Sequence, residues 1–389
     1  MKYPMFASVV AILAAVGCGK GETTAATTTG GTDLLGDCTG LTAAKERIVS
    51  VSGGSATTCA AWSDGTAWCW GRNAAGELGY AATPVSVSLP GAVNVPACVL
   101  GVVAGDEHGC AWMRDGAARC WGENIFGSLG NPDGGGPNAV AVIGLATAVD
   151  LDARGYVSGA LLVDGAVRAW GLNVSAGEHA QVPLEVNVPK ANAIAVGNGH
   201  ACALASGDVW CWGRNWAGEL GIAVEGLPLK QYSPSAVRGI SSAVGVAVGY
   251  EFSCAMLLDG NVWCWGRNDF GQLGNDSQVD SAAPVQVIGV ESAVAVFATD
   301  DRACALLSDG SLWCWGDFVD DPLQLTAAPI PSVHNVTNVA LGTSHTCVVE
   351  GESAMLCWGI NAYGQLGLGE AASVFVADPT PVLWPWMGE

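Results

Sequence analysis

The chain has 389 residues, half of them hydrophobic and only 13% charged, with 15 Lys and Arg against 36 Asp and Glu for a net charge of −21. Such an acid excess argues against a nucleic-acid partner, because phosphate binding needs clustered cations that release counterions, and an anionic membrane surface would repel the body of the protein. The 54 Gly and 16 Trp fit short strands, tight turns and large core anchors, and no apolar run reaches transmembrane length.

Lys2 followed by an apolar stretch from Met5 to Val16 reads as an export signal. It ends Ala15-Val16-Gly17-Cys18 and resembles the lipobox of bacterial lipoproteins, with Ala15 where that family usually has leucine. The resemblance implies cleavage before Cys18 and diacylation of its thiol. Gly19 is not the aspartate of an inner-membrane retention signal, which points to the outer membrane, facing the periplasm or the cell exterior. An ordinary secretory signal with an incidental cysteine is the alternative. The following Thr/Ala/Gly-rich stretch has too little apolar surface to fold and would span roughly 25 Å as a flexible tether. The expected organisation is a signal at residues 1–17, a lipidated linker at 18–37 and one folded body at 38–389.

That body is repetitive. Trp-Gly recurs at Trp70, Trp121, Trp170, Trp212, Trp265, Trp315 and Trp358, at an average spacing of 48 residues. In the fifth copy an apolar strand, Ala243 to Val248, precedes a hairpin from Cys254 through Asp259-Gly260 to Cys264-Trp265-Gly266. The loop Asn268-Asp269-Phe270-Gly271-Gln272-Leu273-Gly274 and the segment Ala283 to Val287 follow. Four short strands per copy make one propeller blade, which cannot bury its faces alone. The expected fold is all-β, a seven-bladed β-propeller with four-stranded blades. Ile48 to Val51 and Pro381-Val382-Leu383-Trp384 are expected to meet in one blade and close the ring.

The Asp-Gly hairpin, the Trp-Gly and the loop Asn-x-x-Gly-[Glu/Gln/Ser]-Leu-Gly resemble the regulator-of-chromosome-condensation repeat family, from about Ile48 to the C-terminus. The loop is complete in copies one, two, four, five and seven. Copy three has Gly177-Glu178-His179-Ala180 in its place, and copy six has Asp317 to Asp321. The resemblance implies a seven-bladed propeller acting through surface loops. An exported class of relatives inhibits β-lactamases, so exported members can be protein binders. Nucleotide exchange and chromatin binding, known in nuclear relatives, have no matching residues here.

Six copies carry a cysteine pair: Cys59/Cys69, Cys110/Cys120, Cys202/Cys211, Cys254/Cys264, Cys304/Cys314 and Cys347/Cys357. The three-residue turn Ser63-Asp64-Gly65 sets Cys59 opposite Cys69. The shorter turn at Ser206-Gly207 brings the Cys202/Cys211 spacing down by one, so these two still face each other. Copy three has Gly159 and Ala169 instead, losing both cysteines together, as covalent pairs predict and buried free thiols do not. Cys38 and Cys98 are left for a seventh bond by elimination. Zinc is disfavoured, since there is no Cys-x-x-Cys and no histidine cluster.

Catalytic signals are absent: no Gly-x-Ser-x-Gly elbow and no phosphate-binding glycine loop. His108, His200 and His345 share one repeat position, where Thr57, Phe252 and Arg302 stand in other copies, so they read as scaffold; His179 and His334 do not share it. Asp300-Asp301 and Asp320-Asp321 lack calcium-ligand spacing and read as solvated loop charge. Trp68, Trp210, Trp263 and Trp313 are expected between blades. Trp62, Trp112 and Trp216 fall outside the frame and are the candidates for a contact surface. The resulting expectation is an envelope lipoprotein, monomeric and without a cofactor or metal, whose rigid ring binds a protein or glycan. The alternative is an envelope enzyme with a site in the funnel or at the irregular copies.

Overall fold

The computed structural model describes residues 46–386 apart from 82–84, 176–177, 223–228, 319–322 and 371. None of them is helical. The described strands form seven four-stranded antiparallel sheets arranged as a ring. Blade one is Ile48–Gly53, Thr57–Trp62, Ala67–Arg72 and Ser86–Ala92, from the axis outward. The other six occupy residues 99–141, 148–186, 193–236, 243–286, 293–329 and 336–381. The first strand of every blade lines a central channel.

Every blade consists of four consecutive strands, which corrects the expected closure. Ile48–Gly53 is the innermost strand of blade one, and Phe375–Pro381 is the outermost strand of blade seven; they share no sheet. The seam closes by packing. Trp384 lies edge-on to Trp62 at 4.9 Å and to Trp70 at 5.6 Å, and Trp386 packs edge-on to Trp68 at 4.8 Å. The C-terminal aromatic residues thus cover blade one without adding a strand to it.

All six expected disulfides are present: Cys59–Cys69, Cys110–Cys120, Cys202–Cys211, Cys254–Cys264, Cys304–Cys314 and Cys347–Cys357. Each joins directly opposed residues of strands two and three of one blade, at Cα separations of 4.0 to 4.1 Å. In blade three Gly159 faces Ala169. A Cβ on Gly159 would lie 2.6 Å from Ile194 Cδ1 of blade four. The cross-strand position of Ile194 holds Val in blades one, two, five, six and seven and Leu in blade three. The unstapled hairpin is therefore filled from the next blade by a larger side chain.

The Trp-Gly dipeptide marks an irregularity where the third strand meets the fourth, so pairing skips the Trp. The glycine after it has φ between +97° and +111° in all seven blades. A Cβ there would lie within 2.1 to 2.5 Å of the carbonyl oxygen that precedes the second strand, so only glycine fits. The bulge turns the Trp into the cleft between its own blade and the preceding one. Trp70, Trp121, Trp170, Trp212, Trp265 and Trp315 are fully buried there. Trp68, Trp210, Trp263 and Trp313 are only half-buried, so the cleft is plugged by the second Trp of each Trp-Cys-Trp-Gly segment, not the first.

A seventh staple needs room. Gly159→Cys with Ala169→Cys is expected to leave free thiols. Adding Ile194→Val should let the bond form, raising stability by about 2–3 kcal/mol for a loop of this length. Intact-mass thiol counting and urea unfolding would check both.

Candidate functional site

The loop that follows each Trp-Gly is built from its own side chains. Asn268 Oδ1 accepts the Leu273 amide at 2.9 Å, and Gln272 Oε1 accepts the Phe270 amide at 2.9 Å. Asn73, Asn124, Asn215 and Asn361 clamp Leu78, Leu129, Leu220 and Leu366 in the same way. This drives a fully buried leucine into the cleft with the next blade. In four clefts the carbonyl before it accepts from the next indole N–H: Glu77 O from Trp121, Ser128 O from Trp170, Glu219 O from Trp265 and Gln272 O from Trp315, all at 2.8 to 2.9 Å. The Glu and Gln of the motif are loop elements, as their spacing implied.

The three histidines at one repeat position join the same network. His108, His200 and His345 bond through Nε2 to Ser158, Ser253 and Thr58 of the following blade, at 2.8 to 2.9 Å. Each hydroxyl donates its hydrogen to a loop carbonyl, so each imidazole must carry its proton on Nε2 and leave Nδ1 bare. Burial lowers the three to about 4, 3 and 3 respectively; Arg214 adds to the effect at His200, and Arg302 and Arg154 add to it at His345. These residues hold blades together and face no open site.

The bonded hairpin cysteines are core staples and are not brought to a contact surface. All twelve are 2% exposed or less. Cys120, Cys211 and Cys357 each sit in an apolar cluster, beside Trp112, Leu204 and Val349 respectively. Their partners Cys110, Cys202 and Cys347 are equally covered, as are Cys59, Cys69, Cys254, Cys264 and Cys304. Cys314 alone among them also lines an inter-blade cavity. Cys98 is buried and disulfide-bonded as well. Cys38, Cys18, the export signal and tether, and Asp320-Asp321 lie outside the described residues.

Two of the three off-frame tryptophans are core, which corrects the expected contact surface. Trp62 is 1% exposed under Trp384, and Trp112 is 5% exposed. Both lie on second strands that are buried along their whole length, sandwiched between neighbouring blades. Trp112 fits because its cross-strand partner is Gly101, where a Cβ would meet the indole at 2.0 Å. Trp216 alone of the three is on the surface, 55% exposed.

Trp216 heads a polar band that sequence reasoning missed. Arg214 stacks on its ring at 4.3 Å, with Tyr250 5.4 Å from the guanidinium on another side. Arg214 Nη2 donates to Asn198 O at 2.7 Å, and Nη1 meets Glu251 at 3.4 Å. Arg267 continues the band to Glu251, Asp269 and Asp301, at 3.9, 2.9 and 3.4 Å, and Arg72 pairs with Glu107 at 2.8 Å. The signal was present: Arg follows Trp-Gly in three copies, and an acid stands just before the histidine position of the next copy. Partial burial, opposed by Arg267, raises Asp301 to about 6.

The channel offers different chemistry. Arg154 crosses its mouth from blade three, donating to Gly53 O of blade one at 3.2 Å and to Leu341 O of blade seven at 3.5 Å. Asp152 accepts the Val196 amide at 2.7 Å, linking two inner strands. Burial raises Asp150 well above the usual carboxylate range, with Asp152 adding to it. No histidine lies among the channel residues. Among the described residues no three His, Cys, Asp or Glu side chains converge as a metal site.

The neutral histidines set a pH dependence. The unfolded chain takes up protons near pH 6.5 and the folded one only near 3 to 4, so their contribution to stability falls as pH drops through that window. The raised carboxyls act in the opposite sense, so the comparison must be between variants. Replacing all three histidines by Phe, the residue blade five already uses, should flatten the loss of urea resistance between about pH 7 and 4.5 relative to the unaltered protein.

Comparison with known proteins agrees with this construction. The regulator of chromosome condensation (RCC1) repeat matches residues 64–112, 206–256 and 259–306, and a second description of the same repeat matches 48–77, 243–272 and 336–365. The ultraviolet-B receptor UVR8 of Arabidopsis thaliana is 24% identical over 84% of this chain and 68% of its own length. The secretion-regulating guanine nucleotide exchange factor of Bos taurus is 24% identical over 88% of this chain and 72% of its own. Yeast RCC1 (Prp20), in its crystal structure bound to Kap60, superposes with a TM-score of 0.73 at 20% identity, covering 95% of this chain and 91% of that one. With seven blades, each carrying the Trp-Gly bulge, and repeat matches in both halves of the ring, the chain belongs to the regulator of chromosome condensation repeat family.

Proposed function

We propose that the protein is a lipid-anchored scaffold of the bacterial cell envelope, held at the outer membrane through Cys18, that binds a protein partner through the loops of blades four to six. The observation that carries this reading is Trp216, a large aromatic left 55% exposed while most of the tryptophans are core. Arg214 holds one side of its ring and is itself fixed by Asn198 and Glu251. A preorganised Trp–Arg pair is the composition of an interface anchor, and little side-chain entropy remains to be lost on binding. The surrounding Glu251, Asp269 and Asp301 and the net charge of −21 favour a partner with a basic surface. Relatives point the same way: one is named an exchange factor and another was crystallised with Kap60. The lipobox and the six hairpin disulfides support export. The scaffold acts as a monomer and needs no cofactor or nucleic acid.

Cross-linking and pull-down from the native envelope should recover a partner with the unaltered protein. Trp216→Ala, at an exposed site that leaves the melting temperature unchanged, should weaken that capture about tenfold or more. Recovery of no partner, together with turnover of a glycan or peptide library, would overturn the scaffold in favour of an enzyme. Saturable glycan binding lost in the same variant would keep the site and change the ligand.

A further inference from the structure

Five of the seven inter-blade clefts are filled alike, by a loop leucine and the carbonyl before it. Blade three fills its cleft by another route. Its third and fourth strands lengthen to nine residues each, and Trp212 of blade four is still 1% exposed. Blade six differs in sequence from both. Residues 317–323 join its last two strands, where blade five uses 267–280, and they contain no Leu-Gly.

A cavity of about 300 Å³ lies between blades six and seven, lined by Arg302, Phe318, Thr346, Trp358 and Phe375 among others. Trp358 is half-buried, unlike its six counterparts. Thr346 occupies the repeat position of Thr58, Ser158 and Ser253, whose hydroxyls donate to a loop carbonyl. It is 1% exposed, and its Oγ1 has no partner among the described residues. Arg302 stands where a histidine would reach that hydroxyl. It turns away to the Gly342 and His345 carbonyls at 2.7 and 2.6 Å, and its buried Nε has no acceptor among the described residues. A cavity of mixed lining therefore carries two donors whose counterparts face a backbone carbonyl beside a leucine, the hydroxyl in three of the five clamped clefts and the indole in four.

We infer that this cleft is a peptide-binding site. It takes a turn-forming segment of a partner protein, like the loops of the other blades, that seats a leucine-sized side chain in the cavity. The carbonyl preceding that residue accepts from Thr346 Oγ1 and the Trp358 indole. The other blades of the chain supply the template for the ligand. The site is separate from Trp216 and does not depend on the reading given to it.

The probe is the acetylated, amidated peptide Asn-Asp-Phe-Gly-Gln-Leu-Gly-Asn, the sequence of residues 268–275. It would be titrated into the mature protein by calorimetry and by tryptophan fluorescence. Saturable one-to-one binding is expected, and replacing the peptide's leucine by aspartate should abolish it. Thr346→Val should weaken it about tenfold, since one buried hydrogen bond is lost, while Trp216→Ala should leave it unchanged. Exchanging residues 317–323 for the blade-five sequence 267–280 should eliminate binding by filling the cleft internally. If that graft does not fold, Thr346→Val and the aspartate peptide decide the matter. No saturable binding, equal binding of the aspartate peptide, or full binding by a folded graft would each overturn the site.

Discussion

The ring depends on the inter-blade cleft, where at four of the seven boundaries an indole N–H of one blade donates to a loop carbonyl of the blade before it. A single four-stranded sheet has two apolar faces and cannot bury either by itself. The bulge at Trp-Gly swings the Trp into the cleft, the Asn clamp presents the carbonyl, and the loop leucine fills the space left beside them. Once the carbonyl is committed, its second lone pair takes the Ser or Thr hydroxyl, and that choice fixes the histidine tautomer. Asn, Gly, Leu, Trp, Ser and His at fixed offsets are thus parts of one hydrogen-bonded joint, in which most of the buried polar atoms find partners.

Covalent and non-covalent stabilisation are divided by direction. The six hairpin disulfides each join strands two and three of one blade, so they harden blades and leave the clefts to packing. The clefts rely on the indole joints, the hydroxyl relays and a few inner-strand links such as Asp152 to Val196. Arg154 adds a brace across the mouth, touching blades on the far side of the channel.

Much of this was legible in the residues. The Trp-Gly period counted the blades, and the paired shift from ten to nine at Cys202 and Cys211 revealed which cysteines oppose each other. The constant spacing of Cys110 to Cys120 and of Cys347 to Cys357 marked hairpins with the longer turn. The failures have physical causes. Trp62 and Trp112 looked off-frame because second strands are covered on both faces, which erases the alternation that separates core from surface. The closure at the seam was misread because Pro381 to Trp384 carries the apolar content of a strand, while its Trp384 serves as a plug against Trp62 and Trp70. The Arg214–Glu251 and Arg267–Asp301 pairs were invisible to a reading confined to one repeat, since each joins residues of two successive copies.

Because no strand crosses from one blade to the next, the junction between the seventh and first blades is made by side-chain packing and hydrogen bonds, as the others are, with Trp384 and Trp386 added over it. Seven modules in a line would share six boundaries, whereas closing the circle adds a seventh without adding a module. The gain from that last boundary belongs to all the blades at once, and its loss would expose two faces wherever the break occurred. A whole repeat is the natural unit of gain or loss in such a chain.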